Sequence, residues 1–448
     1  MPVLARIAPV LIVGFLLASA CTTASTGAPA GSPRPPISPV IRRELANGVR
    51  VVIQEHRASD VAALQLWVAA GGRDESATEL GLAHYLEHLL FKGTPSRPGG
   101  FIEREVEGVG GRMNAGTSLD YTYYHTVLPA KRAVAGIEML ADIASNASLD
   151  AETLEREKLV VLEEMRRTED NPRRHLMRHL YAVTLEGHPY GRPVIGTSEL
   201  IRPLARPTLL AFYQRHYVPE AFTLVVVGAV DRETVLAAAE NTLGRLPRTG
   251  IRRGPVPVPP PVEARRVEMA RPGRYAYLGL AWLGPGIDHA DTPAVDLLVA
   301  ILGQSRSSRL SHTLRDRLAL VTSINSSYGA LEAVGTVTVT AQLDVANLGR
   351  AEEEIVREIS RLRSRGPTDA ERRRAVTAAE ARHELSMETA EGRAFALGRA
   401  ETVWRLEEEL AYMDRLRAVT VEQIRQAAER YLNPERYAHL AFVPSSRP

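Results

Sequence analysis

Runs of apolar residues divide the chain into strands and helices. Residues 49–53 and 63–69 are short, apolar and β-branched, and read as strands. Helical periodicity follows at 80–91, 132–147 and 151–167, with apolar positions three and four apart. Between the first two of these, Gly110-Gly111 opens a stretch through Leu128 rich in Thr and Tyr, which predicts paired strands. A fully apolar strand at 222–228 precedes a helix at 232–243. The second half runs the same way. A strand at 275–282 leads to helices at 290–303 and 306–319, strands at 320–331 and 334–344, helices across 347–432, and a last strand at 437–443.

A break separates the two halves. Pro247, Pro255, Pro257, Pro259, Pro260 and Pro261 fall within 246–263, a semi-rigid linker by composition. A repeat is visible in the letters. Arg215-His216-Tyr217-Val218-Pro219-Glu220 precedes the strand at Phe222, and Arg430-Tyr431-Leu432-Asn433-Pro434-Glu435 precedes the final strand. Self-similarity of such long period predicts two copies of one domain, not a solenoid. The expected fold class is α+β: two homologous α/β-sandwich domains, each a mixed, mainly antiparallel sheet with helices packed on it. They are expected at 41–245 and 264–446.

Composition changes the picture at the N-terminus. The 448 residues are 45% hydrophobic and 24% charged, enough apolar surface for packed cores. With 55 basic and 53 acidic side chains the net charge is +2, so no field of one sign favours nucleic acid. Cys21 is the single cysteine, which excludes an intramolecular disulfide and a cysteine-built metal site. The apolar run from Ile7 to Ala20, about 14 residues, is short of the roughly 20 needed to span a bilayer. It has the layout of a secretory signal peptide. Small residues just before Cys21 resemble a bacterial lipoprotein signal, the alternative being an ordinary signal peptide or an uncleaved anchor. Residues 1–21 are then a signal and 22–40, rich in Ser, Thr, Ala, Gly and Pro, a flexible tether. This implies a lipid anchor at Cys21 and a place in the cell envelope, facing the periplasm and expected at the outer membrane.

The candidate chemistry lies in His84-Tyr85-Leu86-Glu87-His88. Positions i, i+3 and i+4 share one helix face, so two imidazoles and a carboxylate project together. Imidazole is a good zinc ligand, and a carboxylate beside the metal can take a proton from water. The order is that of the inverted zinc motif H-x-x-E-H. Chance supplies roughly 0.02 such pentapeptides in a chain of this composition. The competing reading is a solvated helix face with Leu82, Leu86 and Leu89 as its buried side. A catalytic zinc also needs a third protein ligand. On the helix at 151–167, Glu157 and Glu164 lie two turns apart on one face with Val160 and Val161 between them. Either carboxylate can be that ligand, or both belong to a solvated acidic face.

From about Arg42 to Val443 the chain resembles the pitrilysin/insulinase-type zinc metallopeptidases, above all the smaller members related to mitochondrial processing peptidase. The matching segments include Asn47-Gly48-Val49-Arg50-Val51-Val52 and the run from Gly81 through Thr94. Asn114-Ala115 with Thr117 and Asp120, Glu155 through Glu164, and His188-Pro189-Tyr190-Gly191 also match. The resemblance implies a zinc-dependent endopeptidase. His84, His88 and Glu164 are its implied ligands, Glu87 the general base, and Glu157 a second carboxylate beside the site. It implies that Glu163 points away. It implies that Asn114 and Ala115 lie on an edge strand to which a peptide substrate adds as a further strand.

Active relatives also use an Arg and a Tyr of the second domain on the substrate. Arg315 stands at the Arg position, whereas Thr322 stands at the Tyr position and Ala319 at a Gly position before it. Tyr328 shares the strand parity of Thr322 but lies roughly 20 Å along the strand, too far to replace it. The expectation is the zinc-bearing subunit of a two-chain peptidase, whose homologous partner supplies the Arg/Tyr pair, or a homodimer. It hydrolyses peptides or unfolded segments inside a chamber. The alternative is a non-catalytic assembly or peptide-binding subunit of the same fold.

Overall fold

The structure is a computed structural model and describes residues 38–445. The expected signal and Cys21, and most of the tether, lie outside the described residues. The first half runs β1 (Ile41–Glu44), β2 (Arg50–Glu55), β3 (Val61–Val68), α1 (Leu82–Leu90), α2 (Phe101–Glu107), β4 (Arg112–Thr117) and β5 (Thr122–Pro129). It continues with α3 (Ala133–Asn146), α4 (Ala151–Asp170), α5 (Pro172–Thr184), α6 (Ser198–Ile201), α7 (Arg206–His216), β6 (Phe222–Gly228) and α8 (Arg232–Asn241). The second half runs β7 (Arg265–Pro272), β8 (Ala276–Gly284), α9 (Thr292–Gly303), a π-helical turn at Ser311–Arg317, β9 (Ser323–Ala330) and β10 (Gly335–Leu343). It ends with α10 (Leu348–Arg365), α11 (Asp369–Ser386), α12 (Ala390–Val403), α13 (Leu406–Leu410), α14 (Tyr412–Ala418), α15 (Val421–Tyr431) and β11 (Ala438–Ser445).

The two sheets have one design. Their strand orders are β1-β2-β6-β3-β5-β4 and β7-β11-β8-β10-β9. With β1 set aside, each has the same sequence of strands and one parallel pair at the same place, β2 with β6 and β7 with β11. The remaining pairings are antiparallel. The fold is therefore the expected mixed α/β architecture with two sheets.

The central strands read as continuous apolar runs because both of their faces are covered. In β3, Leu64, Leu66 and Val68 enter a core built with α1 and α3, while Ala63 and Trp67 enter a separate core with Ala394 and Leu397 of α12. In β8, Leu278, Leu280 and Trp282 pack with α9 and α10, while Ala281 faces Leu176 and Leu180 of α5. Each half thus lends one helix to the other's sheet. Helix α5 covers β8 and β11, and α12 covers β3 and β6. Two glycines allow these crossings. A Cβ on Gly398 of α12 would stand 2.1 Å from Trp67 Nε1, and one on Gly279 of β8 would stand 3.0 Å from Leu180 Cδ2.

A buried ionic junction ties the halves together. Arg73 Nη1, on a side chain 2% exposed, lies 3.2 Å from Asp120 Oδ1 and 2.7 Å from Glu332 Oε2. Tyr190 donates to Asp120 Oδ1 at 2.6 Å, and the Glu332 backbone N–H donates to Asp120 Oδ2 at 3.0 Å. The proline-rich segment is fastened as well. Arg253 reaches Asp74 with 2.9 and 2.6 Å bonds, and His188 Nε2 donates to Pro257 O at 2.7 Å.

Two predicted elements come out shorter. The helix expected at 306–319 begins only at Arg309, because Ser308 Oγ bonds Ser305 O in a tight turn before it. It ends where Ala319 adopts a left-handed φ of 50°. The strand expected at 320–331 accordingly starts at Ser323.

Candidate active site

Helix α1 presents its polar face toward α4 and β4. Leu82, Leu86, Leu89 and Leu90 are buried in the first core, leaving His84, Glu87 and His88 on the other side. The start of α1 is held from outside the helix. Gly81 has a φ of 96°, and a Cβ there would lie 2.8 Å from Ile195 O, so the turn requires glycine. Glycine offers no capping side chain, and buried Glu75 takes that role. Its Oε2 accepts from Gly81 N at 2.9 Å and its Oε1 from Ala83 N at 2.8 Å. Burial pushes the Glu75 carboxyl up to about 8, against the pull of these two N–H groups. Tyr85 also ties α1 to α4, by donating to Leu154 O in the first turn of that helix.

The structure brings His84, His88 and Glu164 together, with one ligand atom from each within 4.8 Å of the others. Glu164 Oε2 stands 3.5 Å from both His84 Nε2 and His88 Nε2. His88 Nδ1 donates to Glu157 Oε2 at 3.4 Å, which fixes the ring and turns Nε2 toward Glu164. Lys92 Nζ holds the other Glu157 oxygen at 3.1 Å. Glu163, one residue before Glu164, instead pairs with Arg166 and Arg167 on the outer side of α4. Burial holds His84 down at about 4, hence neutral and able to offer a lone pair. For His88 burial acts the same way, but the Glu164 and Glu157 carboxylates outweigh it and raise the imidazole. The hydrogen bond from His88 keeps Glu164 low. Two imidazoles and one carboxylate within this span are the donor set of a mononuclear zinc site with an open position. The donors present therefore fit that metal.

Glu87 stands beside this cluster. Thr117 Oγ1, at the end of β4, donates to Glu87 Oε2 at 2.6 Å. Burial raises the Glu87 carboxyl, and the Thr117 bond offsets part of the rise. A carboxylate moved upward is better matched to taking a proton near neutral pH. Among the described residues, strand β4 is the free edge of its sheet and pairs only with β5, where Asn114 faces His125 and Ala115 faces Tyr124. Asn114 Oδ1 accepts from Ala115 N at 2.9 Å.

The Arg/Tyr region of the second half is not drawn into this cluster. Arg315 lies on the π-helical turn and spends both of its bonds on neighbouring Asp316, at 2.8 and 3.1 Å. Thr322 Oγ1 donates to Gln342 O, and Tyr328 OH donates to Pro285 O at 2.6 Å. Sequence reasoning missed Glu75 as the cap of α1. It noted Thr117 and Asp120 without assigning the first to Glu87 or the second to the junction between halves. A glycine at a helix start with an acid six residues before it was the available signal for Glu75.

Comparison with known proteins supplies the family. Residues 50–198 match the family model described as insulinase (peptidase family M16), and residues 203–379 match the peptidase M16 inactive domain. An uncharacterised zinc protease of Mycobacterium tuberculosis is 30% identical over 429 residues, covering 93% of this chain and 96% of that protein. The mitochondrial-processing peptidase subunit beta of Lentinula edodes is 29% identical over 419 residues, covering 89% of this chain and 88% of that one. A protease from Helicobacter pylori has the same fold, with a TM-score of 0.85 and 23% identity over 91% of this chain and all of that one.

Proposed function

The chain belongs to the insulinase family of peptidases, M16, and from that premise we propose that it is a zinc-dependent endopeptidase acting on peptides or unfolded protein segments. The observation that carries the reading is the convergence of His84, His88 and Glu164 beside a half-buried Glu87. His84 and His88 through Nε2, and Glu164 through Oε2, would hold the metal. When bound, zinc supplies the Lewis acidity that polarises a carbonyl and makes water easier to deprotonate. Glu87 accepts the water proton at Oε1, since Oε2 is occupied by Thr117, and delivers it to the departing amine. Glu157 orients His88. A substrate adds along the free edge of β4, where Asn114 and Ala115 offer main-chain groups, and so lies next to Glu87.

In this reading the chain is the zinc-bearing member of a pair enclosing a chamber. A homologous partner, or a second copy in a homodimer, supplies the missing phenol, because Thr322 is too short and Arg315 is engaged by Asp316. Cys21 carries the lipid that holds the protein in the envelope, facing the periplasm. A second reading, a non-catalytic peptide-binding or assembly subunit, is favoured by Thr322 alone.

The test is hydrolysis of a quenched fluorescent peptide library by the zinc-loaded protein, with Glu87→Gln as control. Turnover that Glu87→Gln reduces by about 100-fold or more supports the peptidase. Turnover without any partner would overturn the two-chain requirement. Silence with zinc bound, even beside a homologue bearing the Arg/Tyr pair, would favour the binding subunit.

A further inference from the structure

The groove of the second half that corresponds to the α1/α4 groove of the first is also lined with unspent polar groups. Helix α9 follows β8 as α1 follows β3, and α11 is the second helix after β10 as α4 is after β5. Between α9, α11 and α14 lies a cavity of ≈ 370 Å³. Asp296, Arg382, Arg399, Trp404, Glu409 and Tyr412 contribute to its wall.

These groups leave much of their bonding capacity free. Asp296 accepts one bond, from Tyr412 OH, and Arg399 donates to Ala330 O at 3.2 Å. Among the described residues, neither Arg382 nor Glu409 has a side-chain hydrogen bond or an ion pair within 4.0 Å. The buried indole N–H of Trp404 has no partner either. Burial pushes Asp296 up to about 6 and raises Glu409, with Arg399 pulling both back. Asp296, Arg399 and Glu409 are half-buried, where polar groups normally find partners, while Arg382 lines the same cavity from an exposed position.

The wall carries two carboxylates and two guanidinium groups, which balance, together with the His383 imidazole. An anion would meet the carboxylates and a cation the guanidinium groups, each without compensation. A zwitterion satisfies both pairs, its ammonium on Asp296 and Glu409 and its carboxylate on Arg382 and Arg399. Trp404, Tyr412 and neighbouring Tyr328 give an aromatic surface for an apolar body. The volume is that of a small-ligand pocket.

We propose that this cavity is a binding site for a small zwitterion with an aromatic side chain, a free α-amino acid or a dipeptide, separate from the His84/His88/Glu164 cluster. The site does not depend on the chain being a peptidase.

Calorimetric titration of the full chain with L-phenylalanine tests it, beside phenethylamine, which lacks the carboxylate, and 3-phenylpropionate, which lacks the ammonium. The expected result is saturable binding of L-phenylalanine, with each truncated probe about 10-fold or more weaker. Glu409→Gln and Arg382→Gln should weaken it by a similar factor. Ala379→Leu, which fills the cavity from α11 without touching a charge, should abolish it, and His88→Ala in the other groove should leave it intact. Circular dichroism and the melting temperature identify any variant that has lost its fold, and the remaining variants then decide. Absence of saturable binding, equal binding of the three probes, or binding lost in His88→Ala but kept in Glu409→Gln would overturn the proposal.

Discussion

Helices α1 and α9 hold the same place in two sheets of the same strand order, and they carry different chemistry. Helix α1 reads Leu-Ala-His-Tyr-Leu-Glu-His-Leu-Leu, with its apolar residues on one side and three ligand-type side chains on the other. Helix α9 reads Thr-Pro-Ala-Val-Asp-Leu-Leu-Val-Ala-Ile-Leu-Gly, and Asp296 is its single ionisable residue. Both bury their apolar residues against their own sheet. The comparison separates two requirements. The frame needs apolar residues at the buried positions, while the reaction needs particular side chains at only a few positions facing the groove.

The sharpest way to break the comparison is within α4. Glu164→Ala should remove a ligand and lower both zinc content and peptide turnover by at least about 100-fold, beyond the range for losing an outer contact. Glu163→Ala should leave zinc content unchanged, because its carboxylate faces Arg166 and Arg167. Metal analysis of the two purified variants distinguishes adjacent residues on one helix. Equal zinc loss in both would remove Glu164 from the ligand set.

The exchange of α5 and α12 gives the next largest effect. Gly398→Ala drives a methyl into the Trp67 indole and should cost about 1–3 kcal/mol, read as a lower melting temperature with altered Trp67 fluorescence. Gly279→Ala should cost less, since the atom it meets is the mobile end of Leu180. The reverse ranking would mean that α12 does not lie on β3 as described.

The two halves should also respond oppositely to pH. Glu352 joins α10 to β7 and β11. Burial alone would raise its carboxyl, but His439, Arg266 and Tyr437 outweigh it and bring it down to about 2. With the folded value below the ordinary 4.5, its contribution is complete above 4.5 and is lost as pH falls toward 2. Glu75 has the opposite sign. Its folded value near 8 means that stability is highest below 4.5 and declines as pH rises toward 8. Denaturant titrations across both windows should show Glu352→Gln flattening the acid limb and Glu75→Gln flattening the decline in stability between 4.5 and 8. No change in either slope would contradict these environments. Glu75→Gln should also cost about 1 kcal/mol, because one amide oxygen cannot cap two N–H groups.

The smallest effect concerns the turn before each edge strand. Before β4 the left-handed position is Gly110, with a φ of 75°, and before β9 it is Ala319, with a φ of 50°. Ala319→Gly should relieve that strain and stabilise the chain by about 0.5–1 kcal/mol, measured by equilibrium unfolding. A loss of stability would show that the alanine methyl makes compensating contacts.

The periodicity of the chain by itself determined most of the elements and the duplication. It also put His84, Glu87 and His88 on one helix face and Glu157 with Glu164 on another. These are short-range facts, since spacing along a helix or strand dictates which side chains share a face. The choice between Glu157 and Glu164 was not local. It came first from resemblance, and the geometry now places Glu164 against both imidazoles and Glu157 behind His88.

Only the tertiary structure decided what each buried face meets. The apolar pattern marks β3 and β8 as strands, but not that a helix from the other half covers one face of each. Burial is non-directional, and any apolar face of suitable shape satisfies it. The Thr117 bond to Glu87 and the Arg73–Asp120–Glu332 junction were invisible for the same reason, and the Glu75 cap showed only as an acid six residues before a helix-start glycine. Each depends on side chains that the fold brings together across the sequence, and hydrogen bonds form where geometry permits, whatever the separation along the chain. Sequence told which residues could do chemistry, and the packing of α1 against α4 and β4 decided which of them can act together.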